Sequence, residues 1–264
     1  LFTDSSDLDI TDKAAIEKLD TNGIEVIINA AAYTNVDGAE DPANLGLAEA
    51  VNSKGVANLA RLATKLGISL IHFSSDYVFD GTKEGAYTEQ DPLKPANAYG
   101  RTKAGGDLAA AKHAEHYIFR TSWVVGNGPG PNFVKTMVKL AENGVDPAVI
   151  NDQFGRLTFT ITLAEAVQFA LDERIPYGTY NLTNSGDQVS WFQIAQEVFR
   201  LTDHDPGRVS PQSSTEYAAS KGQTIAPRPE NSMLDLSLIE SMGYQPPDWR
   251  DTLETYLDQV NLKD

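Results

Sequence analysis

The sequence contains no cysteine, which excludes a disulfide framework and suits a reducing compartment. Positive charge is also scarce: 21 lysines and arginines face 37 aspartates and glutamates, giving a formal net charge of -16. Because no basic cluster interrupts this acidity, the sequence does not predict a groove that follows nucleic-acid phosphates. No apolar run approaches the roughly 18 residues of a membrane-spanning helix, and no stretch reads as a signal peptide. We therefore predict a soluble, cytoplasmic protein that binds neither nucleic acid nor membranes.

Short apolar runs and amphipathic stretches alternate through most of the 264 residues. The apolar runs at 25–32, 69–75 and 116–123 predict buried strands. Apolar residues recur at helical spacing over 42–66, which predicts a long helix that Gly67 ends. The remaining predicted elements are a helix that contains Tyr99, a strand in 146–150, and helices at 132–144, 163–172, 191–201 and 250–257. This alternation predicts an α/β protein with a Rossmann-like, doubly wound parallel sheet.

After about Asp152 the alternation becomes irregular, and proline-rich loops appear. We therefore predict a sheet domain at 1–151 and a smaller lobe at 152–264 that is interleaved with it. In such sheets, ligands bind at the carboxyl ends of the strands. Polar residues lie there, at 29–33, 74–77 and 122–123.

The segment NAYGRTKAGGD places Tyr99 and Lys103 four residues apart, on one face of a predicted helix. A nearby ammonium favours the phenolate and lowers the pKa of a tyrosine from its usual value of about 10. We therefore interpret Tyr99 as a general acid or base. The alternative is an ordinary surface pair, because Y-x-x-x-K is a common pattern.

Hydroxyl groups follow the predicted strand at 69–75. In HFSSDYVFDG, the residues Ser74, Ser75 and Asp76 lie at the strand exit. A hydroxyl there can donate a hydrogen bond to a carbonyl oxygen on which charge develops, although strand-end turns use the same residue types. A buried strand, a hydroxyl and Y-x-x-x-K about two dozen residues later rarely coincide by chance.

Two weaker signals lie earlier in the chain. The alanines of INAAAYTNVD would let a ligand approach the first strand closely, but tight helix packing explains them equally well. Asn52, inside the long predicted helix, would ordinarily face solvent.

The serine and Y-x-x-x-K on a Rossmann-like sheet resemble the short-chain dehydrogenases/reductases. Further segments resemble the extended-type dTDP-4-dehydrorhamnose reductase family, and they extend from Leu8 to Asp235. These segments are LDITD, VIINAAAYTNVDGAE, AVNSKGVANLA, FSSDYVFDG, PANAYGRTKAGGD, FRTSWVVG, NFVKTMVKLA, NDQFG and RPENSMLD. The resemblance implies an oxidoreductase of dTDP-rhamnose biosynthesis. It would reduce the C4 ketone of dTDP-4-dehydro-L-rhamnose with NADPH or NADH, giving dTDP-L-rhamnose.

The resemblance also implies residue roles. Tyr99 would protonate the forming alkoxide, Lys103 would lower the pKa of Tyr99 and hold the nicotinamide ribose, and Ser75, where the family usually has threonine, would polarise the ketone. Further cofactor contacts would come from Asp9, Ile10, Ala30, Ala31, Ala32 and Tyr33, with Asn52 supporting that loop. Substrate contacts would come from Asp76, Tyr77, Trp123, Asn132, Phe133, Gln153, Arg156 and Arg228.

The two arginines are the candidates for the diphosphate, because guanidinium matches phosphate oxygens in a two-pronged fashion. For each arginine the alternative is a surface salt bridge. For Tyr77, Trp123 and Phe133 it is core packing. By the same resemblance, 1–151 would bind the cofactor and 152–264 mainly the substrate.

Members of this family begin with a strand and a G-x-x-G-x-x-G turn that binds the cofactor pyrophosphate. The sequence starts at LFTDSSDLDITD, which corresponds to a point after that turn. Either the sequence lacks its natural N-terminus with the first strand and glycine loop, which we favour, or it belongs to a degenerate relative. If these 264 residues are the whole protein, we expect weak cofactor binding and little turnover.

Two other functions stay open. One is a different extended-type nucleotide-sugar epimerase or dehydratase, which the absence of a glutamate after Asp76 disfavours. The other is a catalytically idle relative that serves as a binding or regulatory subunit. Some members of the family use Mg²⁺, but no ligand cluster in the sequence calls for it. A homodimer is a further expectation.

Overall fold

The structure, a computed structural model, describes residues 2–221 and 225–261. The strands are β1 (Val26–Asn29), β2 (Ser69–Ser75), β3 (His116–Thr121), β4 (Val124–Val125), β5 (Ala148–Ile150), β6 (Phe154–Gly155), β7 (Thr158–Phe159), β8 (Gly178–Asn181), β9 (Val189–Ser190) and β10 (Ser210–Gln212). The α-helices are α1 (Lys13–Glu17), α2 (Pro42–Glu49), α3 (Val56–Leu66), α4 (Ala98–Ala110), α5 (Phe133–Glu142), α6 (Thr160–Asp172), α7 (Trp191–Leu201), α8 (Ser214–Lys221), α9 (Ser237–Ser241) and α10 (Trp249–Asn261).

The main sheet is parallel and has the strand order β1-β2-β3-β8. Its central strands are apolar on both faces: Leu70, Ile71, Ile118 and Phe119 are all at most 1% exposed. Such continuous apolar runs are expected where helices cover both faces of a parallel sheet. The predicted Rossmann-like α/β sheet is therefore confirmed.

Helices α2 and α3 follow β1 and are joined by a π-helical segment, Ala50–Gly55. The predicted helix at 42–66 is therefore continuous, but its hydrogen bonding changes in the middle. Its end is as predicted, because Gly67 adopts the left-handed conformation (φ 66°) that terminates α3.

A second hydrophobic core packs beside the main sheet and forms the smaller lobe. It joins α5 and β5 with the later helices α7 and α10, and Phe159, Ile194, Phe199 and Trp249 lie at its centre. Conversely, β8 and α6 come after residue 151 in the sequence but belong to the main sheet and its core. The two parts are interleaved, so a cut at 151/152 divides the sequence without separating the two cores.

Two predicted strands are shorter than expected. The run at 25–32 forms a strand only to Asn29, which leaves the alanines in an irregular segment. The run at 116–123 ends at Thr121, and Trp123 after it has a positive φ of 50°. Both segments leave the sheet at its carboxyl edge. In the described part of the chain, no helix has the length and apolarity needed to cross a membrane.

Candidate active site

The carboxyl ends of β1, β2 and β3 meet at one edge of the main sheet. Asn29 is paired with His72, and Ser75 is paired with Thr121, so the polar segments that follow these strands lie side by side. This is the edge at which parallel sheets bind ligands.

Helix α4 brings Tyr99 and Lys103 to this edge. Asn97 caps the helix by accepting a hydrogen bond from the Gly100 backbone N–H at 2.7 Å, and its Nδ2 donates to the Pro227 carbonyl at 2.8 Å. A Cβ at Gly100 would collide with the Tyr77 carbonyl oxygen, so the glycine lets the first turn of α4 lie against the turn after β2. The helix start is thus fixed relative to Ser75.

Ser75, Asp76 and Tyr77 form a tight turn beside Tyr99. The Ser75 hydroxyl donates to Asp76 Oδ1 at 3.0 Å and accepts the Tyr77 N–H at 3.1 Å. The rings of Tyr77 and Tyr99 meet edge to face, with centroids 5.5 Å apart. The structure therefore brings together the predicted hydroxyl, phenol and acidic residue.

The predicted lowering of the Tyr99 pKa is wrong in this arrangement. Burial and the negative charge of Asp76 together raise the pKa of Tyr99 to about 12, although the Ser75 hydroxyl opposes the shift. The Lys103 ammonium points elsewhere and donates to the Phe73 carbonyl oxygen on β2 at 2.7 Å. The spacing of four residues predicted that Tyr99 and Lys103 share one face of the helix, but it could not predict the hydrogen-bond acceptor of the ammonium.

Asp76 is only 4% exposed, and burial raises its pKa to about 6, although the nearby Ser232 and Ser75 hydroxyls oppose the shift. Within the described residues its Oδ2 has no hydrogen-bond partner. A buried, unsatisfied carboxylate oxygen next to Ser75 can accept a hydrogen bond from a bound hydroxyl group.

The segment after β1 is held by Asn52. The Asn52 side chain accepts the Tyr33 N–H at 2.8 Å, donates to the Tyr33 carbonyl at 3.0 Å and donates to Thr102 Oγ1 at 2.9 Å. Asn52 is 1% exposed, so the expectation that it faces solvent is wrong. Its hydrogen bonds hold the backbone of the loop after β1. The π-helical segment directs this side chain toward the loop.

The residues of this edge fit a nicotinamide nucleotide. Ala30 and Ala31 are exposed, and their small side chains leave room against the sheet. Ser122 Oγ and Thr121 Oγ1 are buried without a hydrogen-bond partner in the described part of the chain, as expected for groups that await a ligand. Farther away, Asp9 is exposed, and Ile10 packs against Gly55.

Four predicted substrate residues lie in or against the smaller lobe. Trp123 stacks on Trp191 with centroids 3.8 Å apart, and Phe133 packs against the same tryptophan at 4.6 Å. Asn132 caps α5 and donates to the Gly126 carbonyl and the Tyr256 hydroxyl. Gln153, 7% exposed, donates to Ser214 Oγ at 2.9 Å. Core packing therefore accounts for Phe133, and helix capping accounts for Asn132.

The two arginines have different environments, and neither is free. Arg156 is 8% exposed and donates to the carbonyls of Leu234 (2.6 Å) and Gly186 (3.3 Å), an arrangement that argues against a diphosphate role. Arg228 forms a two-pronged ion pair with Asp37 at 2.8 and 2.9 Å. Arg228 therefore forms the salt bridge that was its alternative role. Burial raises the pKa of Tyr77, and the positive charge of Arg228 opposes that rise.

The sequence interpretation missed several polar residues of the site. Asp37 pairs with Arg228, Ser232 interacts with Asp76, and Glu40 accepts the Ala98 N–H at 2.6 Å. All three lie inside segments that carried the family resemblance, VDGAE and RPENS, so those segments were the available signal. Among the described residues, no group of three His, Asp or Glu side chains is arranged to hold a metal ion.

Comparisons with known proteins agree with this geometry. Residues 1–262 match the family model described as the RmlD substrate binding domain. The dTDP-4-dehydrorhamnose reductase of Aggregatibacter actinomycetemcomitans is 38% identical, over 96% of this chain and 88% of that protein.

Solved structures give the same result. The dTDP-4-dehydrorhamnose reductase of Clostridium acetobutylicum superposes with a TM-score of 0.89 and 37% identity, covering 98% of this chain and 89% of that one. The Bacillus anthracis dTDP-4-dehydrorhamnose reductase, solved in complex with NADP, has a TM-score of 0.89 and 32% identity, covering 97% and 89%. With its sheet, its site and these relatives in agreement, the chain belongs to the dTDP-4-dehydrorhamnose reductase family.

Proposed function

We propose that this protein reduces the C4 ketone of dTDP-4-dehydro-L-rhamnose to dTDP-L-rhamnose with NADPH or NADH. The observation that carries the proposal is the convergence of Ser75, Tyr99 and Lys103 at the carboxyl edge of the sheet, in a chain 38% identical to a reductase of this name. The NADP held by the Bacillus anthracis relative supports NADPH as the cofactor.

A bound nicotinamide nucleotide supplies the hydride. The residues that would hold it are Lys103, Tyr33 and the alanines after β1, with Asn52 fixing the course of that loop. Tyr99 would lie between the bound nicotinamide nucleotide and the substrate. Its ring contacts Tyr77 in the turn after β2, and Lys103 follows it by one helical turn on α4.

Tyr99 is the proton donor in this proposal. With a pKa near 12, its hydroxyl is protonated at neutral pH, which is the state needed to donate. The alkoxide that forms on the sugar carbon is a strong base, and a protonated phenol within hydrogen-bond reach can supply the proton that it takes up. The raised pKa is therefore compatible with reduction, although its direction differs from the sequence prediction.

Ser75 orients and polarises the ketone. Its hydroxyl already sits in a fixed turn, and a rotation about the Cβ–Oγ bond redirects its proton from Asp76 to a ketone oxygen. Hydrogen bonds aimed at developing negative charge stabilise the transition state more than the ground state. Asp76 and Tyr77 would contact sugar hydroxyls beside it, since both lie in the same turn.

The smaller lobe would bind the nucleotide part of the substrate. Trp123 and Gln153 lie on its side of the site, and Arg228 is the candidate for the diphosphate. Arg228 would have to exchange at least one of its hydrogen bonds to Asp37 for a phosphate oxygen. We retain 1–151 as the mainly cofactor-binding part and 152–264 as the mainly substrate-binding part.

A cytoplasmic location and a homodimer complete the proposal. The absence of cysteine supports a reducing compartment. Light scattering on the purified protein measures the oligomeric state directly.

The test is turnover of dTDP-4-dehydro-L-rhamnose, followed by the loss of NADPH absorbance. Tyr99→Phe should lower the rate by about 10²–10⁴-fold, because it removes only the acidic proton. Tyr177→Phe is the matched control: its hydroxyl contacts Ser69 on the surface, so its rate should equal wild type. Equal, measurable rates for Tyr99→Phe and wild type would exclude Tyr99 as the acid. A folded wild type that binds NADPH and still does not turn over would favour the idle-subunit alternative.

A further inference from the structure

We propose that Asp107 is a positioning residue of this site: with Arg120 it forms a buried ion pair that keeps the Lys103 side chain charged and directed at the strand beneath Tyr99. The inference rests on the proposed function, since the reaction uses the Lys103 ammonium.

The three side chains form a row of buried charges behind the site. Asp107 lies one helical turn after Lys103 on α4, and each is 2% exposed. Asp107 Oδ2 accepts a hydrogen bond from Arg120 Nε at 2.9 Å, and Arg120 also donates to the Glu89 carbonyl at 3.1 Å. Two cations and one carboxylate thus share an environment that water does not reach.

Asp107 still has acceptor capacity directed at its neighbours. In the described part of the chain its Oδ1 has no hydrogen-bond partner, while Arg120 occupies only Oδ2. Burial raises the pKa of Asp107, whereas the charge of Arg120 and the nearby Ser74 hydroxyl on β2 oppose that rise and favour the carboxylate. Because unpaired charges are poorly tolerated in a protein interior, the negative charge of Asp107 is what allows two cations to be buried here.

Lys103 depends on that charge. Burial lowers the pKa of Lys103 to about 8, and Asp107 is the group that opposes this shift. The titratable groups of this region are Tyr99 and Asp107 on α4, His72 on β2, Arg120 on β3, Asp76 in the turn, and Glu89, whose carboxyl also feels the charge of Arg120. Burial and the ammonium keep the pKa of His72 well below its usual value, so His72 stays neutral and adds no charge.

These contacts determine how each substitution should change the pKa of Lys103. Asp107→Asn leaves the positive charge of Arg120 uncompensated, so the pKa of Lys103 falls below about 8 and the ammonium is lost at a lower pH. Arg120→Gln removes the cation that favours the ionised form of Asp107, but it also removes a positive charge that repels the Lys103 ammonium, so the pKa of Lys103 should fall less than in Asp107→Asn. A general loosening of the fold would instead change both variants by similar amounts.

The direct test is an NMR titration of ¹³C-lysine-labelled protein, in which Lys103→Arg assigns the Lys103 Cε signal. We expect Asp107→Asn to lower the measured pKa of Lys103 by about one unit or more, which is a tenfold change in the ratio of charged to neutral lysine. Asp107→Glu should restore the wild-type value, and Asp172→Asn, the same exchange at an exposed helix end, should not change it. An unchanged pKa of Lys103 in Asp107→Asn, or a fall in Arg120→Gln that is as large as in Asp107→Asn, would overturn the proposal.

The second test is the pH profile of kcat/KM. Activity should fall with rising pH as Lys103 loses its proton. In Asp107→Asn this fall should begin at lower pH, with about tenfold less activity than wild type at pH 9 and a much smaller difference at pH 6. A loss that is equal at both pH values would indicate a purely structural role and reject the proposal. The NMR titration needs no turnover, so it stands even if the proposed substrate is wrong.

Discussion

Ser75 combines two hydrogen bonds within its own turn with a place beside the Tyr99 phenol. Ser75→Ala should lower kcat about 10²–10³-fold, because it removes the donor to the developing oxyanion. Ser75→Thr keeps the hydroxyl and should stay within a few-fold of wild type. Steady-state kinetics at saturating NADPH measure both, and equal losses in the two variants would mean that packing, not the hydroxyl, is responsible.

Asp76 predicts a pH dependence of stability. Its pKa in the folded protein is about 6, above the usual 3.8, so the folded state loses stability as pH rises through 6. Asp76→Asn removes this penalty, which at pH 8 amounts to about 3 kcal/mol for a shift of roughly two units. The gain over wild type should therefore be larger at pH 8 than at pH 5.

Urea denaturation of both proteins at the two pH values measures this difference. A gain that is equal at pH 5 and pH 8 would show that Asp76 is not responsible. Asp80→Asn is a useful comparison, because hydrogen bonds lower the pKa of this partly buried carboxyl and the same exchange should not stabilise the protein.

For single residues, the sequence predicted which side chains lie near one another but not which atoms each side chain is hydrogen-bonded to. Ser75, Tyr99 and Asp76 are predictable because strand ends and helix spacing are local properties. The partner of Lys103, the Phe73 carbonyl, depends on how α4 packs on β2, and the pKa of Tyr99 depends on the resulting burial. The sequence suggested a diphosphate role for Arg156 because it does not show the tertiary fold, in which the guanidinium donates to backbone carbonyls.

Among the secondary-structure elements, α4 packs unusually close to the π-helical segment. A Cβ at Gly106 would collide with the Asn52 carbonyl oxygen, whereas Gly46 in α2 is exposed and has open space around it. Gly106→Ala should therefore destabilise the protein by about 1–3 kcal/mol through overpacking. Gly46→Ala should stabilise it by about 0.5–1 kcal/mol, since alanine favours a helix.

Chemical denaturation of the two variants measures these opposite changes in the free energy of unfolding directly. NADPH binding should also weaken in Gly106→Ala, because the displaced Asn52 would no longer hold the Tyr33 backbone. Stabilisation by Gly106→Ala would contradict the close contact.

Elements bounded by clear local signals could be predicted closely. Strand β2 matches 69–75 residue for residue, and α7 matches 191–201, because an apolar period and a turn or capping residue mark each end. The π-helical segment was not predictable, since nothing in AVNSKG differs from an ordinary helix. The short strands of the smaller lobe pair with partners distant in the chain, so local pattern does not reveal them.

For the whole molecule, the net charge of -16 opposes the approach of anionic ligands. Both proposed ligands carry diphosphates, so kcat/KM for the sugar nucleotide should rise when salt is added from about 10 to 150 mM, where the Debye length shortens to about 8 Å. Rates in potassium chloride and in potassium glutamate should rise together, which would exclude specific chloride binding. A steady decline with salt would mean that local positive charge dominates.

The interleaved topology has a consequence for biosynthesis. Strand β3 is complete at Thr121, but its outer neighbour β8 begins only at Gly178, after α5 and α6. A polypeptide emerging from the ribosome therefore exposes an unpaired β3 edge while the intervening residues are still being translated. Unpaired edges recruit other strands, so slow translation or premature release in this interval should favour misassembly, and co-expressed chaperones should raise the yield of native enzyme.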